Sequence, residues 1–306
     1  MDKRIKNQKN YSIKMSFKKN DKLLILLVSD VHESIENINE LVSYCKENSI
    51  NPDYIFCLGD IMSIPGGSQA DQTIYNQKVN ELKNILITLE TICPNLIYLP
   101  GNHDFINLFK VEDSPKLTEN SINLHLKSLI VKDDLLLVGI GGAICSLYSD
   151  EEFYHSYRNL NKNNIEWKGY PYIDNEDSPN YDKSDEMFKN DLEKIDSYVS
   201  EHKGNVLVLT HVGPFTSNTA NQYEEKIIYS GSPSLNEFLL KYENKIIANV
   251  HGHTHDAQGL GKIHGIKVCN PGAIMKRRFG LLNLVKNIES NYMWKIEKYE
   301  QINLID

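Results

Sequence analysis

Apolar residues along this chain come in short dense runs, each broken off by a small polar block. The runs Leu23 to Ser29, Tyr54 to Leu58, Leu96 to Pro100, Val206 to Leu209 and Ile246 to Val250 are the length of buried β-strands. Between them the spacing changes. Ile35, Ile38, Leu41, Val42 and Cys45 recur at helical intervals behind Ser34, which is placed to cap the helix, and Val79, Leu82, Ile85, Leu86 and Leu89 mark a second amphipathic helix. Strand, helix and strand in alternation predict parallel βαβ connections. Two clusters, Leu129 to Val131 and Leu135 to Val138, flank Lys132-Asp133-Asp134 and predict a hairpin. Ser232-Pro233 has the cap-then-proline order of a helix start, leading into Leu235, Phe238, Leu239 and Tyr242.

The alternation is interrupted once, from about residue 146 to 203, where Tyr, Asp, Glu and Asn dominate. This stretch is read as an insertion, helical from Ser184 to His202, that either caps a site or is a solvated excursion. With 306 residues and 41% hydrophobic content the chain can bury a large core. Nothing divides that core in two. The predicted organisation is a basic tail over 1–22, one α/β domain over 23–285 and a C-terminal extension of it over 286–306.

Charge and composition then narrow the function classes. The net charge of -8 sits on a chain whose start is basic, so the body is strongly acidic and unsuited to a broad nucleic-acid surface. No apolar stretch approaches the roughly 20 residues that span a bilayer, and the run Leu24 to Val28 is too short for a secretory h-region. Cys45, Cys57, Cys93, Cys145 and Cys269 are widely spaced in mostly apolar contexts, without a Cys-x-x-Cys pair, and read as reduced core thiols. The expectation is a cytosolic protein with neither membrane nor nucleic-acid partner.

The polar blocks carry the chemistry. They are Asp30-Val31-His32, Gly59-Asp60, Gly101-Asn102-His103-Asp104, Thr210-His211 and Gly252-His253-Thr254-His255, each behind a predicted strand. The carboxyl edge of an open α/β sheet is where ligand sites assemble, so these distant residues are expected to converge. Two divalent metals about 4 Å apart need a shared anionic bridge, and Asp60 is assigned that place. One metal would take Asp30, His32 and a later histidine; the other would take Asn102 and two histidines. Mixed nitrogen and oxygen donors suit Mn, Fe, Zn, Ni or Co better than Ca or Mg. Such a pair lowers the pKa of a bridging water, which attacks a phosphorus centre as hydroxide, and His103 is placed to protonate the departing alkoxide, with Asp104 orienting its ring. The glycines before Asp60, Asn102 and His253 are expected to let the backbone turn tightly and approach metals or phosphate.

In these residues the chain resembles the calcineurin-like metallophosphoesterases, whose blocks D-x-H, G-D, G-N-H-[D/E], H and G-H-x-H occur in the same order. Asn270-Pro271-Gly272-Ala273 is similar to the turn common after the last block. The resemblance covers roughly Leu23 to Ala273 and implies a four-layer α/β/β/α sandwich of two mixed sheets flanked by helices. It also implies that Asp30, His32, Asp60 and His255 hold one metal and that Asp60, Asn102, His211 and His253 hold the other, with His103 at the leaving group. The departures narrow the subfamily. Protein phosphatases carry G-D-x-V-D-R-G, whereas this chain reads Gly59-Asp60-Ile61-Met62-Ser63 and lacks the arginine. The tyrosine that purple acid phosphatases place three residues after the bridging aspartate is replaced by Ser63. What remains resembles the small phosphodiesterase-type members, which hydrolyse diesters of small molecules such as nucleotides, and implies a small-molecule phosphodiester as substrate. A phosphomonoesterase, a protein phosphatase and a non-catalytic scaffold are the alternatives. His251, two before His253, reads as a core or supporting histidine; His125, His155, His202 and His264 read as surface or packing residues; Arg158, in the insertion, is either a phosphate clamp or a solvated arginine.

Overall fold

The computed structural model describes residues 22–64, 72–132, 134–144, 147–148, 171, 183–223, 227–287 and 293–304. The basic tail, the Pro65-Gly66-Gly67 loop, Cys145, His155 and Arg158 lie outside them. In chain order the strands are β1 (Lys22–Val28), β2 (Tyr54–Cys57), β3 (Leu96–Tyr98), β4 (Ile122–Asn123), β5 (Lys127–Lys132), β6 (Leu135–Ile140), β7 (Leu147–Tyr148) and β8 (Asn205–Thr210). They continue with β9 (Asn221–Tyr223), β10 (Ile227–Tyr229), β11 (Ile246–Val250), β12 (Gly259–Ile263), β13 (Ile266–Asn270), β14 (Arg278–Asn287) and β15 (Met293–Asn303). The α-helices are α1 (Ile35–Glu47), α2 (Gln72–Glu90), α3 (Ser184–Glu201) and α4 (Pro233–Lys241).

Two six-stranded sheets carry the fold, in the orders β15-β14-β1-β2-β3-β4 and β12-β13-β11-β8-β6-β5. In the first, β1 to β4 run parallel and β14 antiparallel to β1; in the second, β6, β8, β11 and β13 run parallel between antiparallel β5 and β12. Alternation along each strand divides the apolar side chains between two faces. Leu23, Ile25 and Leu27 of β1 meet Leu135 and Leu137 of β6, Leu207 and Leu209 of β8 and Val250 of β11 between the sheets. Leu26 and Val28, on the other face of β1, pack with Ile38 and Leu41 of α1 and Leu82 and Leu86 of α2. Val206 and Val208 turn outward to Phe188, Leu192 and Ile195 of α3 and Leu235 and Leu239 of α4. The result is helix, sheet, sheet, helix, as expected.

Three details differ from the sequence reading. Helix α3 does not belong to an excursion: its apolar stripe, Phe188, Leu192, Ile195 and Val199, is buried on the second sheet. Ser34 precedes α1 but its side chain makes no capping hydrogen bond, whereas Ser232 accepts from the Leu235 amide at 3.0 Å. A three-stranded sheet, β7-β10-β9, was not foreseen.

Candidate metal centre

Each polar block follows the carboxyl end of a parallel strand: Asp30 and His32 follow β1, Asp60 follows β2, Asn102 and His103 follow β3, His211 follows β8, and His253 and His255 follow β11. Three strands belong to one sheet and two to the other, so the site straddles the rim of both. Backbone hydrogen bonds sew the loops together. The Asp30 and His32 amides donate to the carbonyls of Gly59 and Asp60 at 3.0 Å each, the Ile64 amide donates to His103 at 2.9 Å, and Gly252 donates to His211 at 3.0 Å. Side chains add cross-links: the His103 amide donates to Asp60 Oδ1 at 2.8 Å and the His253 amide to Asp30 Oδ2 at 3.1 Å.

These ties hold the backbone where side-chain residues seldom sit. Asp30, His32, Glu33, Asp60 and His253 have φ of 52°, 46°, 63°, 51° and 65°. Each is a left-handed conformation without glycine, a strain characteristic of ligand clamps. The glycines have other tasks. Gly59 does turn, at φ 100°. Gly101 and Gly252 are needed because other protein atoms pass so close: a Cβ on Gly101 would lie 2.1 Å from Asp60 Oδ1, and one on Gly252 would lie 1.7 Å from Ser29 Oγ. Gly101→Ala must therefore displace the loop that carries Asp60. Overpacking of this kind costs about 1–3 kcal/mol, and the expected outcome is that loss in denaturant titration together with loss of metal uptake; a variant that kept both would show that the loop absorbs the methyl.

Asp60 is central. Its Oδ2 lies 3.3 Å from His211 Nε2, 3.7 Å from His32 Nε2 and 3.9 Å from His103 Nε2. On one side Asp30, His32, Asp60 and His255 offer ligand atoms within 4.8 Å of one another, and on the other Asp60, His211 and His253 do the same. Asn102 joins the second group, its Oδ1 3.0 Å from His211 Nε2. The two groups are the ones that the family resemblance implies.

The electrostatics call for cations here. Burial alone would raise the Asp60 carboxyl, but His211, His103 and His32 hold it well below the usual carboxylate range. Asp30 is likewise opposed by burial, yet His255 and His211 bring it down to about 2. Two ionised, fully buried carboxylates leave negative charge to be matched. Without metal, part of the match is protonation: burial opposes it, but Asp60 and Asp30 hold His211 up at about 9. Buried Asp30 Oδ1 lies 3.2 Å from His255 Nε2 without an aligned hydrogen bond, and the Nε2 atoms of His32 and His255 face each other at 3.3 Å. Nitrogen and oxygen lone pairs converging in this way fit divalent cations.

Two of the four candidate ligand histidines have the far ring nitrogen anchored, as metal ligation requires. His211 Nδ1 faces the Leu58 carbonyl at 2.7 Å and His32 Nδ1 faces Ser63 Oγ at 3.1 Å. Sequence reasoning missed both partners. A main-chain carbonyl has no sequence signature, and Ser63 was noted only for the tyrosine it replaces.

One assignment is corrected. Asp104 does not orient the ring of His103: its carboxylate accepts from the amides of Gly101 at 2.8 Å, Met62 at 2.9 Å and Ile61 at 3.3 Å. It ties the Asp60 loop to the Asn102 loop, because a tight turn leaves three amides pointing inward and a buried carboxylate satisfies them together. His103 itself stands against His32, ring centroids 4.9 Å apart and nearly perpendicular. Burial lowers its imidazole to about 4, with Asp60 resisting. His251 turns away from the centre, its Nε2 2.9 Å from Thr219 Oγ1 and Nδ1 2.9 Å from the Gly252 carbonyl. His125 is a packing residue whose Nδ1 accepts from the Gly141 amide at 2.9 Å.

A two-sheet α/β sandwich with paired carboxylates, histidines and an asparagine at one rim defines a dimetal hydrolase. The chain belongs to the calcineurin-like phosphoesterase family, whose sequence model matches residues 23–257. It is therefore a metal-dependent hydrolase of phosphoric esters, working with two divalent metal ions. An uncharacterized protein of Acanthamoeba polyphaga mimivirus is 28% identical over 258 residues, 76% of this chain and 84% of that protein. Among solved structures, TT1561 of Thermus thermophilus matches with a TM-score of 0.55 at 15% identity, covering 92% of this chain and 99% of that one. A dimetal phosphatase from Danio rerio matches with a TM-score of 0.53 at 12% identity, covering 92% and 99%. At such identities the two structures speak for the fold alone.

Proposed function

We propose that the chain is a phosphodiesterase acting on a small-molecule phosphodiester, in which Asp60, common to both candidate ligand groups, would be shared between the two metals. The observation that carries this reading is the gathering of Asp30, His32, His211, His253 and His255 around Asp60 at one rim of both sheets. When bound, the cations supply Lewis acidity and bring the attacking water towards its ionised form. Asp30, His32 and His255 would hold one of them; Asn102, His211 and His253 would hold the other. His103 would stand at the leaving group, where an arriving phosphate anion favours its charged form.

Preference for a diester is argued from the loop that carries Asp60: Gly59-Asp60-Ile61-Met62-Ser63 lacks both the arginine of the protein phosphatases and the tyrosine of the purple acid phosphatases, which leaves the resemblance to the small phosphodiesterase-type members. Bis-p-nitrophenyl phosphate and p-nitrophenyl phosphate, compared with Mn2+, are expected to give the higher kcat/KM for the diester. A reversed order would make the chain a monoesterase of the same family.

A small-molecule substrate is favoured over nucleic acid by the acidic body of the chain. A cytosolic setting is favoured by the buried free thiols of Cys45, Cys57, Cys93 and Cys269. Among the described residues no helix is long and apolar enough to cross a membrane.

A further inference from the structure

We infer that Ser63 is the positioning residue of one metal site only, acting through His32 and held in place by Glu33. The inference rests on the dimetal reading above and goes beyond it, because it assigns an unequal mode of support to the two halves of the centre. A histidine that ligates through Nε2 must carry its proton on Nδ1, and the partner of Nδ1 sets that tautomer and the ring's angle. In the half containing Asn102, His211 and His253, that partner is the Leu58 carbonyl, 2.7 Å from His211 Nδ1 and fixed by the strand end itself. In the half containing Asp30, His32 and His255, it is the Ser63 hydroxyl, 3.1 Å from His32 Nδ1.

A hydroxyl finds its partner by rotation, so what has to be fixed is the backbone that carries it. Glu33 fixes that backbone. Its Oε1 accepts from the Ser63 amide at 3.1 Å, and its Oε2 takes Lys78 Nζ of α2 at 2.8 Å. Lys78 is held in turn by Glu81, 2.9 Å away on the same helix. Glu33 reaches this position only because its backbone is left-handed, at φ 63°, beside His32 at 46°. The strain at two consecutive side-chain residues thus has an identifiable product: one residue is presented to the metal and the next to the serine that steadies it. The chain of contacts runs from α2 through Lys78 and Glu33 to Ser63 and His32. It touches none of Asn102, His211 and His253.

The support is also electronically mild. A carboxylate facing Nδ1 would make the imidazole a stronger donor, and a neutral hydroxyl orients it with little added basicity. Ser63 therefore sets the affinity of one metal without altering the other.

The test is titration of the chelator-stripped full chain with Zn2+ by calorimetry. The unmutated chain is expected to take two equivalents. Ser63→Ala is expected to weaken one of them about 10-fold, the low end of the effect of removing such a partner, and to leave the second unchanged. Ser63→Thr, which keeps the hydroxyl, restores it. In a His32→Ala background Ser63→Ala adds nothing, since the serine acts only through that ring. Long-range proton–nitrogen spectra of the zinc-loaded chain are expected to show His32 protonated at Nδ1, and Ser63→Ala to disturb that resonance and not the one of His211. If Ser63→Ala does not fold, Ser63→Cys keeps the volume with a poorer acceptor and carries the same comparison. Equal weakening of both equivalents, weakening of neither, or a further loss in the His32→Ala background would overturn the inference alone. No Zn2+ uptake by the unmutated chain would instead overturn the metallohydrolase reading beneath it.

Discussion

Asp60→Asn is expected to reduce turnover of a phosphodiester about a thousandfold or more, which corresponds to roughly 4 kcal/mol of lost transition-state stabilisation. The substitution is chosen because it removes charge and little else. Asp60 Oδ1 accepts from the His103 amide at 2.8 Å, and the asparagine carbonyl can keep that bond. What it loses is the anionic Oδ2 that faces His211 at 3.3 Å and His32 at 3.7 Å from both halves of the centre. Without a shared anion, two cations a few ångströms apart repel each other in a buried site, so one equivalent of metal should be lost together with activity. Metal analysis, steady-state kinetics and a thermal melt on the same preparation separate the causes. If Asp60→Asn keeps both metals and near-normal turnover, Asp60 is not the bridge. If it fails to fold, Asp60→Ser or Asp60→Ala distinguishes a charge effect from a packing effect.

The candidate ligand residues were legible in the sequence because they are side chains of scarce types, placed directly behind apolar runs. The parallel strands were legible for a related reason, while their division between two sheets came from the family resemblance alone. Strands such as Val206 to Leu209, buried on both faces, are continuous apolar runs, which parallel strands between layers must be. The long terminal hairpin of β14 and β15 was not legible, and its geometry gives the reason. Trp294 and Ile296 face the space between the sheets and so does Tyr299, because a bulge opposite Asn283 and Leu284 inserts Glu297 and shifts the alternation by one. Ile302 then turns to the opposite face, into the apolar layer that also holds α1 and α2. Apolar positions at 294, 296, 299 and 302 obey no period of two, so a reader of alternation sees only an extension.

The supporting shell was illegible on other grounds. Left-handed φ is ordinarily announced by glycine, yet at this centre it falls on two aspartates, two histidines and a glutamate. Their own side chains give no sign of it. The strain is imposed by hydrogen bonds to loops more than 25 residues away, such as Asp30 to Gly59 and His32 to Asp60. Asp104 misled for a similar reason. Adjacent to His103 in sequence, it was read as that residue's partner, but the amides of Ile61, Met62 and Gly101 compete for the same carboxylate and win because they are otherwise buried without acceptors.

That correction shapes the second large expectation. His103→Gln is expected to lower kcat about 100-fold to 10,000-fold for diesters with an alkoxide leaving group, the span attributed to a placed general acid. With p-nitrophenolate, a stable anion that departs without a proton, the loss should be slight. The geometry supports this division. His103 stands beside Asp60 Oδ2 at 3.9 Å and edge-on to His32, near the centre but outside both ligand groups. Its imidazole is driven down to about 4 by burial, so in the resting site it is neutral and the phosphate anion has to charge it. Proton donation should then grow with the basicity of the leaving group, and a plot of log kcat against leaving-group pKa should steepen in His103→Gln. Asp104→Asn provides the contrast. Because Asp104 braces loops and does not touch the ring, its replacement should depress every substrate by a similar factor and leave that slope as it was. Should His103→Gln also lower all substrates alike, His103 acts in binding the phosphoryl group, and the proton for the alkoxide comes from solvent.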